Sequence, residues 1–206
     1  MSQSSEYEYN YQKHDDFYCY PGSDVLINNF DIRDKAALNT VEQQITALKI
    51  AQLETMPIKG TFDLKHLASI HRFIFGDIYE WAGKIRKGDF LIKGDSIFCR
   101  AMFIENMAAD VHSKLKADKF LRSLEKDDFI SKLAYYMGEI NALHPFREGN
   151  GRTQRLYFKQ LCEKSGYDLE FHKTQKDTLV NADISAFNKE YTPLIEVLGA
   201  IVSKTG

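Results

Sequence analysis

The sequence predicts a mainly α-helical domain carrying one small β-hairpin, and three observations lead there. Apolar residues recur at i, i+3/i+4 intervals through much of the chain. That rhythm gives way to short β-prone runs between Gly83 and Arg100. The composition, 44% hydrophobic, 27% charged and 13% aromatic over 206 residues, is that of a globular chain and excludes disorder, collagen-like repeats and a coiled coil.

The elements follow in order. Residues 1–20, with Tyr7, Tyr9, Tyr11, Tyr18 and Tyr20, show neither helical nor strand periodicity and read as a loosely held arm outside a single domain over 21–206. Asp34 is an N-cap for a helix carrying Ala37, Leu38, Val41, Ile45, Leu48 and Leu53, which ends before Pro57. Phe62-Asp63 opens a second helix with Leu64, Leu67, Ile70 and Ile74 on one face and Gly76 near its end. A hairpin is expected around Lys93-Gly94-Asp95, then helices over 101–118 and 127–143, the latter with a broad apolar stripe from Ile130 to Ile140. After the loop His144–Asn150 another helix begins near Gly151, turns Leu156, Tyr157 and Leu161 inward and stops at Ser165-Gly166. One or two further helices fit the remainder, the last near Leu194–Val202.

Charge and cysteine content narrow the function classes. With 27 basic and 29 acidic side chains there is no global field to draw in nucleic acid or an anionic membrane, so any bound anion is held locally. Cys19, Cys99 and Cys162 are odd in number and widely spaced, which fits a reducing compartment. The first residues lack a signal-peptide pattern, and no run approaches the ~18 apolar residues of a membrane span. A cytoplasmic location is expected, or a host cell if the chain heads a longer secreted effector.

The segment that carries chemistry is His144-Pro-Phe-Arg-Glu-Gly-Asn-Gly-Arg-Thr-Gln-Arg155. Pro145 stops the preceding helix. Gly149 and Gly151 offer a backbone free to adopt φ > 0 where the next helix starts, and a helix N-terminus with such a lead-in binds anions. Arg152 and Arg155 share one face of that helix and add two cations for phosphate oxygens. Glu148 sits unfavourably beside phosphate unless Mg²⁺ bridges the two, and His144 is the group able to exchange a proton near pH 7. A glycine-rich turn alone is usually only a turn. The coincidence of base, carboxylate, glycine pair and two arginines within twelve residues points to a site for a metal-bound nucleotide, and neither a P-loop nor a Rossmann fingerprint competes.

This segment resembles the Fic-family signature HxFx[D/E]GNGRxxR, matched at His144, Phe146, Glu148, Gly149, Asn150, Gly151, Arg152 and Arg155. Tyr79-Glu-Trp-Ala-Gly83 and the hairpin with Lys93, Gly94, Ile97 and Phe98 are similar to the family's sequence before its target-binding flap and to the flap itself. The resemblance, over residues 20–200, implies a Fic-type helical bundle with a β-hairpin flap and transfer of AMP from ATP to a Tyr, Thr or Ser hydroxyl of a target protein. It implies His144 as base, Glu148 as Mg²⁺ ligand, and Gly149, Asn150 and Gly151 as the anion cradle. Arg152 would then face the β-phosphate, Arg155 the γ-phosphate, and Phe146 would fix the loop. Members resembling Doc carry Lys where this chain has Gly151 and act as kinases, so Gly151 favours nucleotidyl transfer. Transfer of another nucleotide, removal of AMP, and a non-catalytic nucleotide-binding module stay open.

Other residues carry less. His66 and His71 are five apart, unsuited to a shared metal, and read as structural. Glu139 reads as a solvated or N–H-paired carboxylate, with orientation of His144 as the alternative, and Trp81 as core packing or a wall of the pocket. In the family a glutamate from an [S/T]xxxE[G/N] helix pairs with the second motif arginine, here Arg155. The nearest match, Thr192–Glu196, is followed by Val197, so an antitoxin-like protein is expected to supply the glutamate in trans.

Overall fold

The computed structural model describes residues 9–10, 17–88, 92–93 and 96–205. Helix α1 (Lys35–Thr55) opens on Asp34, whose carboxylate accepts the Ala37 N–H at 2.8 Å, and closes at Met56 ahead of Pro57. Helix α2 (Leu64–Phe75) opens the same way, Asp63 accepting the His66 N–H at 2.8 Å, and closes at Gly76. Each aspartate satisfies an N–H that has no partner inside its helix.

A 3₁₀ turn leads into α3 (Ile104–Ala117), followed by α4 (Lys126–Leu143), α5 (Asn150–Lys164), α6 (Lys176–Phe187) and α7 (Thr192–Ile201). Helix α4 is central, packing against α3, α5, α6 and α7, while α5 packs on α2. Phe129, Leu133 and Ala134 of α4, Phe158 and Leu161 of α5, and Ile70, Ile74 and Phe75 of α2 are almost wholly buried. At about 1.5–3 kcal/mol for each large side chain, this burial holds both ends of the α4–α5 loop against the core. The loop that carries the motif is therefore anchored on two fixed helices.

Strands β1 (Tyr9–Asn10), β2 (Ile92–Lys93) and β3 (Ser96–Ile97) form an antiparallel sheet in that order, with Tyr9 opposite Lys93 and Ile92 opposite Ile97. The expected hairpin is present, and the expected mainly helical bundle with it. A second antiparallel pair, β4 (Tyr167–Leu169) with β5 (Val202–Lys204), goes beyond the sequence reading. Three residues are too few to show a period of two, and the partners meet only because α6 and α7 return the chain.

The stretch 1–20, read as a loose arm, is partly integrated. Tyr9–Asn10 pairs with β2, and Tyr18 is buried, its hydroxyl accepting the Lys87 N–H at 2.7 Å and its ring edge-on to Trp81. A buried tyrosine with its hydroxyl satisfied holds a segment that shows no periodicity of its own. Tyr7 and Tyr11 lie outside the described residues.

Candidate active site

Helix α4 ends at Leu143, and His144 takes a left-handed conformation, φ 43° and ψ 61°. Pro145 disfavours the right-handed helical region at the residue before it, so the turn occurs there. The His144 carbonyl accepts Arg86 Nε–H at 2.9 Å, and the same guanidinium donates to the Cys99 carbonyl. Backbone bonds from Arg86 N to Pro145 O and from Cys99 N to Ala142 O complete the tie between the hairpin's two flanks and the end of α4. Arg86 is buried at that helix C-terminus, where a cation is favoured. Sequence reasoning missed it, because nothing in the sequence separates Arg86 from its exposed neighbours Lys84 and Lys87.

The loop is locked from within and from α2. The Asn150 side chain accepts the Phe146 N–H at 2.9 Å and donates to the Phe146 carbonyl at 2.8 Å. The Phe146 ring is buried, 4.0 Å from the imidazole of His71. His71 accepts the Gly83 N–H on Nδ1, so Nε2 carries the hydrogen and donates to the Glu148 carbonyl at 2.9 Å. Burial pushes His71 down to about 4, so it remains neutral. His71 is structural, as expected, but the structure it supports is the loop itself.

Gly149 has φ +79°, and a Cβ there would meet the Phe75 ring at 2.3 Å. Gly151 differs from expectation: it sits inside the first turn of α5 and needs no positive φ. One glycine therefore makes the turn, because it must cross the face of Phe75, and the other opens the helix. The N–H groups of Asn150, Gly151 and Arg152 have no partner within α5, as the start of any helix requires, and such a helix start favours negative charge. The Gly149 N–H donates to Glu148 Oε1 at 2.8 Å.

Two arginines rise from this helix start. Arg152 forms an ion pair with Glu42 of α1 at 2.7 Å, lies over the Phe75 ring, and has Glu148 Oε1 at 3.7 Å. Arg155 is half-buried, and burial lowers its pKa. Among the described residues no carboxylate is within ion-pair distance of Arg155. The acidic group that acts on it is Asp183 of α6, whose own carboxyl burial pushes up to about 7 despite the attraction of Arg155. No group of three or more His, Cys, Asp or Glu side chains suited to a metal occurs among the described residues. A cation here would rely on Glu148 and on oxygens brought by the ligand.

Of the hairpin residues singled out by sequence, Lys93 lies in β2 and Gly94 is outside the described residues. Ile97 is 60% exposed, whereas Phe98 is buried and stacks on His144. Phe98 thus supports the histidine and is not offered to a target, since its ring fills the space between His144 and Phe187. Glu139 does not orient His144: it accepts from Lys189 Nζ and from the Tyr191 hydroxyl, which tie α4 to the α6–α7 turn. Trp81 stacks on Tyr79 with centroids 4.5 Å apart, as packing. Glu196 is exposed on α7.

Comparison with known proteins agrees with this geometry. Residues 61–162 match the model of the Fic/DOC family. The chain is similar to the protein adenylyltransferase VbhT of Bartonella schoenbuchensis, 38% identical over 177 residues, and spans 86% of this chain but 37% of that protein. It is similar along nearly its whole length to the probable protein adenylyltransferase Fic of Escherichia coli K12, 37% identical over 192 residues, covering 93% of this chain and 94% of that one. Among solved structures, the N-terminal Fic domain of a VirB-translocated Bep effector protein from Bartonella quintana with bound ADP superposes with a TM-score of 0.88 at 25% identity, covering 92% of this chain and 96% of that one.

Proposed function

The chain belongs to the Fic/DOC family, and on that premise we propose that it is a protein adenylyltransferase, moving AMP from ATP to a hydroxyl side chain of a target protein. The observation that carries this reading is the loop between α4 and α5, which bears an imidazole at one end and a cationic helix N-terminus at the other. The triphosphate lies along the N–H groups of Asn150, Gly151 and Arg152, with the Arg152 and Arg155 guanidinium groups on its β- and γ-phosphates. ADP bound to the Bartonella quintana relative supports nucleotide binding by this fold.

In the proposed reaction His144 accepts the proton of the target hydroxyl. The freed oxygen attacks the α-phosphorus, an O–P bond forms, the bond to the bridging α–β oxygen breaks, and pyrophosphate leaves with its electron pair. Little covalent help is needed; position and charge supply the catalysis. Glu148 would hold Mg²⁺ together with phosphate oxygens, and the ion when bound neutralises charge on the departing group. Arg86 and Phe98 hold the backbone and the ring of His144 where they are.

Arg155 has no ion-paired carboxylate among the described residues, which supports a separate, small inhibitor protein that supplies one. No helix of the described residues is long and apolar enough to cross a membrane. We place the reaction in the cytoplasm of the producing cell, or in a host cell when the chain heads a longer translocated protein.

The test is incubation of lysate with α-labelled ATP and either the wild type or His144→Ala. Labelled protein bands should form with the wild type and fall by about 10²–10⁴ in rate with the variant, while ATP binding stays nearly intact. Parallel reactions with UTP, CTP and GTP identify the nucleotide. Equal labelling by His144→Ala refutes the base assignment.

A further inference from the structure

The ion pair with Glu42 ties the signature residue Arg152 to a residue outside the signature. Glu42 comes from the middle of α1, more than a hundred residues earlier in the chain. Its side chain is 13% exposed and its carboxylate is engaged on both oxygens: Oε1 by Arg152 at 2.7 Å and Oε2 by the hydroxyl of Tyr79, itself almost wholly buried. Thr46, one turn further along α1, accepts from Arg152 Nη1 at 3.4 Å, and the Phe75 ring lies under the guanidinium at 4.7 Å. Glu42, Thr46 and Phe75 thus define where Arg152 sits, with Tyr79 holding Glu42 from behind.

From this geometry we infer that Glu42 is a positioning residue for the phosphate site: it holds Arg152 in place for the β-phosphate before the nucleotide arrives. The inference rests on the function proposed above. Arginine has five N–H donors, and Glu42 and Thr46 engage two, leaving the others for phosphate oxygens. A side chain already ordered by its own protein pays less entropy on binding a ligand. The Tyr79 hydroxyl does the same for Glu42, and burial together with the Glu42 charge raises the Tyr79 pKa, so that it stays a donor.

The test measures direct binding of ATP, ADP and AMP to the full chain by calorimetry, for the wild type, Glu42→Gln, Tyr79→Phe, Arg152→Ala and the Glu42→Gln/Arg152→Ala double variant. Glu42→Gln should weaken ATP and ADP about tenfold while changing AMP less than about twofold, because only the former reach Arg152. Tyr79→Phe, which keeps the ring, should show the same selectivity more weakly, and serves if Glu42→Gln fails to fold. The double variant should be no worse than Arg152→Ala alone, since the two residues act as one unit. Unchanged or tighter ATP binding by Glu42→Gln, equal losses for ATP and AMP, or additive losses in the double variant would overturn the inference. A wild type that binds no triphosphate refutes the nucleotide site as well, so the two failures are distinguishable.

Discussion

The ring of Phe98 lies on the imidazole of His144, with centroids 3.9 Å apart and planes inclined by 28°. Phe98 directly follows β3 and is buried between the histidine and Phe187 of α6. The hairpin flap and the proposed base are therefore mechanically coupled. Phe98→Leu, which removes the flat contact while keeping an apolar side chain, should lower kcat roughly 10- to 100-fold and leave the KM for ATP within about twofold. Steady-state kinetics decide: equal losses in kcat and ATP affinity would point to general loosening of the fold.

Gly149→Ala should be strongly destabilising. The residue has φ +79°, and its new methyl would lie 2.3 Å from the Phe75 ring. Left-handed strain and overpacking together cost about 2–5 kcal/mol. Thermal or urea unfolding measures this, and Phe75→Leu in the same background should recover part of the loss. An unchanged melting temperature would contradict the described loop.

Acid should expose the role of His71. Its folded-state pKa, near 4, lies below the ordinary value of 6.5, so between those values the unfolded chain binds a proton that the folded chain does not. Stability is unaffected above pH 6.5 and falls as the pH drops toward 4, by on the order of 3 kcal/mol. Urea unfolding at pH 7.5 and 5 should show the fall in the wild type and a shallower one in His71→Gln. Parallel pH dependence in both proteins would rule out His71 as its source.

Asp183 should make nucleotide binding depend on pH. Its carboxyl, raised to about 7, is charged above that value and then, without pairing with Arg155, offsets part of the positive field there; below it, the carboxyl is neutral. ATP affinity should therefore rise as the pH falls from 8 to 6, and Asp183→Asn should bind ATP at pH 8 at least about fivefold more tightly than the wild type. The titration of ATP itself is common to both proteins. Equal affinities at pH 8 would exclude Asp183.

Control should lie outside the chain. Glu196 is exposed on α7 and pairs with neither arginine, so Glu196→Gly should leave the transfer rate unchanged. A large rise in an end-point labelling assay would place the inhibitor within the chain.

Features that depend on near neighbours can be read from the chain of residues alone. Helix rhythm, the Asp34 and Asp63 caps, the stop at Pro145 and the crowding of base, carboxylate, glycines and arginines into twelve residues are all local, and each was legible. Which side chains support that segment emerges with the packing of the helices. Glu42 reaches Arg152 across 110 positions, His71 reaches the Glu148 carbonyl across 77, and Arg86 reaches the His144 carbonyl across 58. That packing also buries Phe98 against His144 and divides the roles of Gly149 and Gly151. Periodicity and capping are written in residues a few positions apart, whereas a buried partner is chosen by how helices pack. A glutamate in the middle of α1 looks like any solvated helix residue until α2 and α5 close over it.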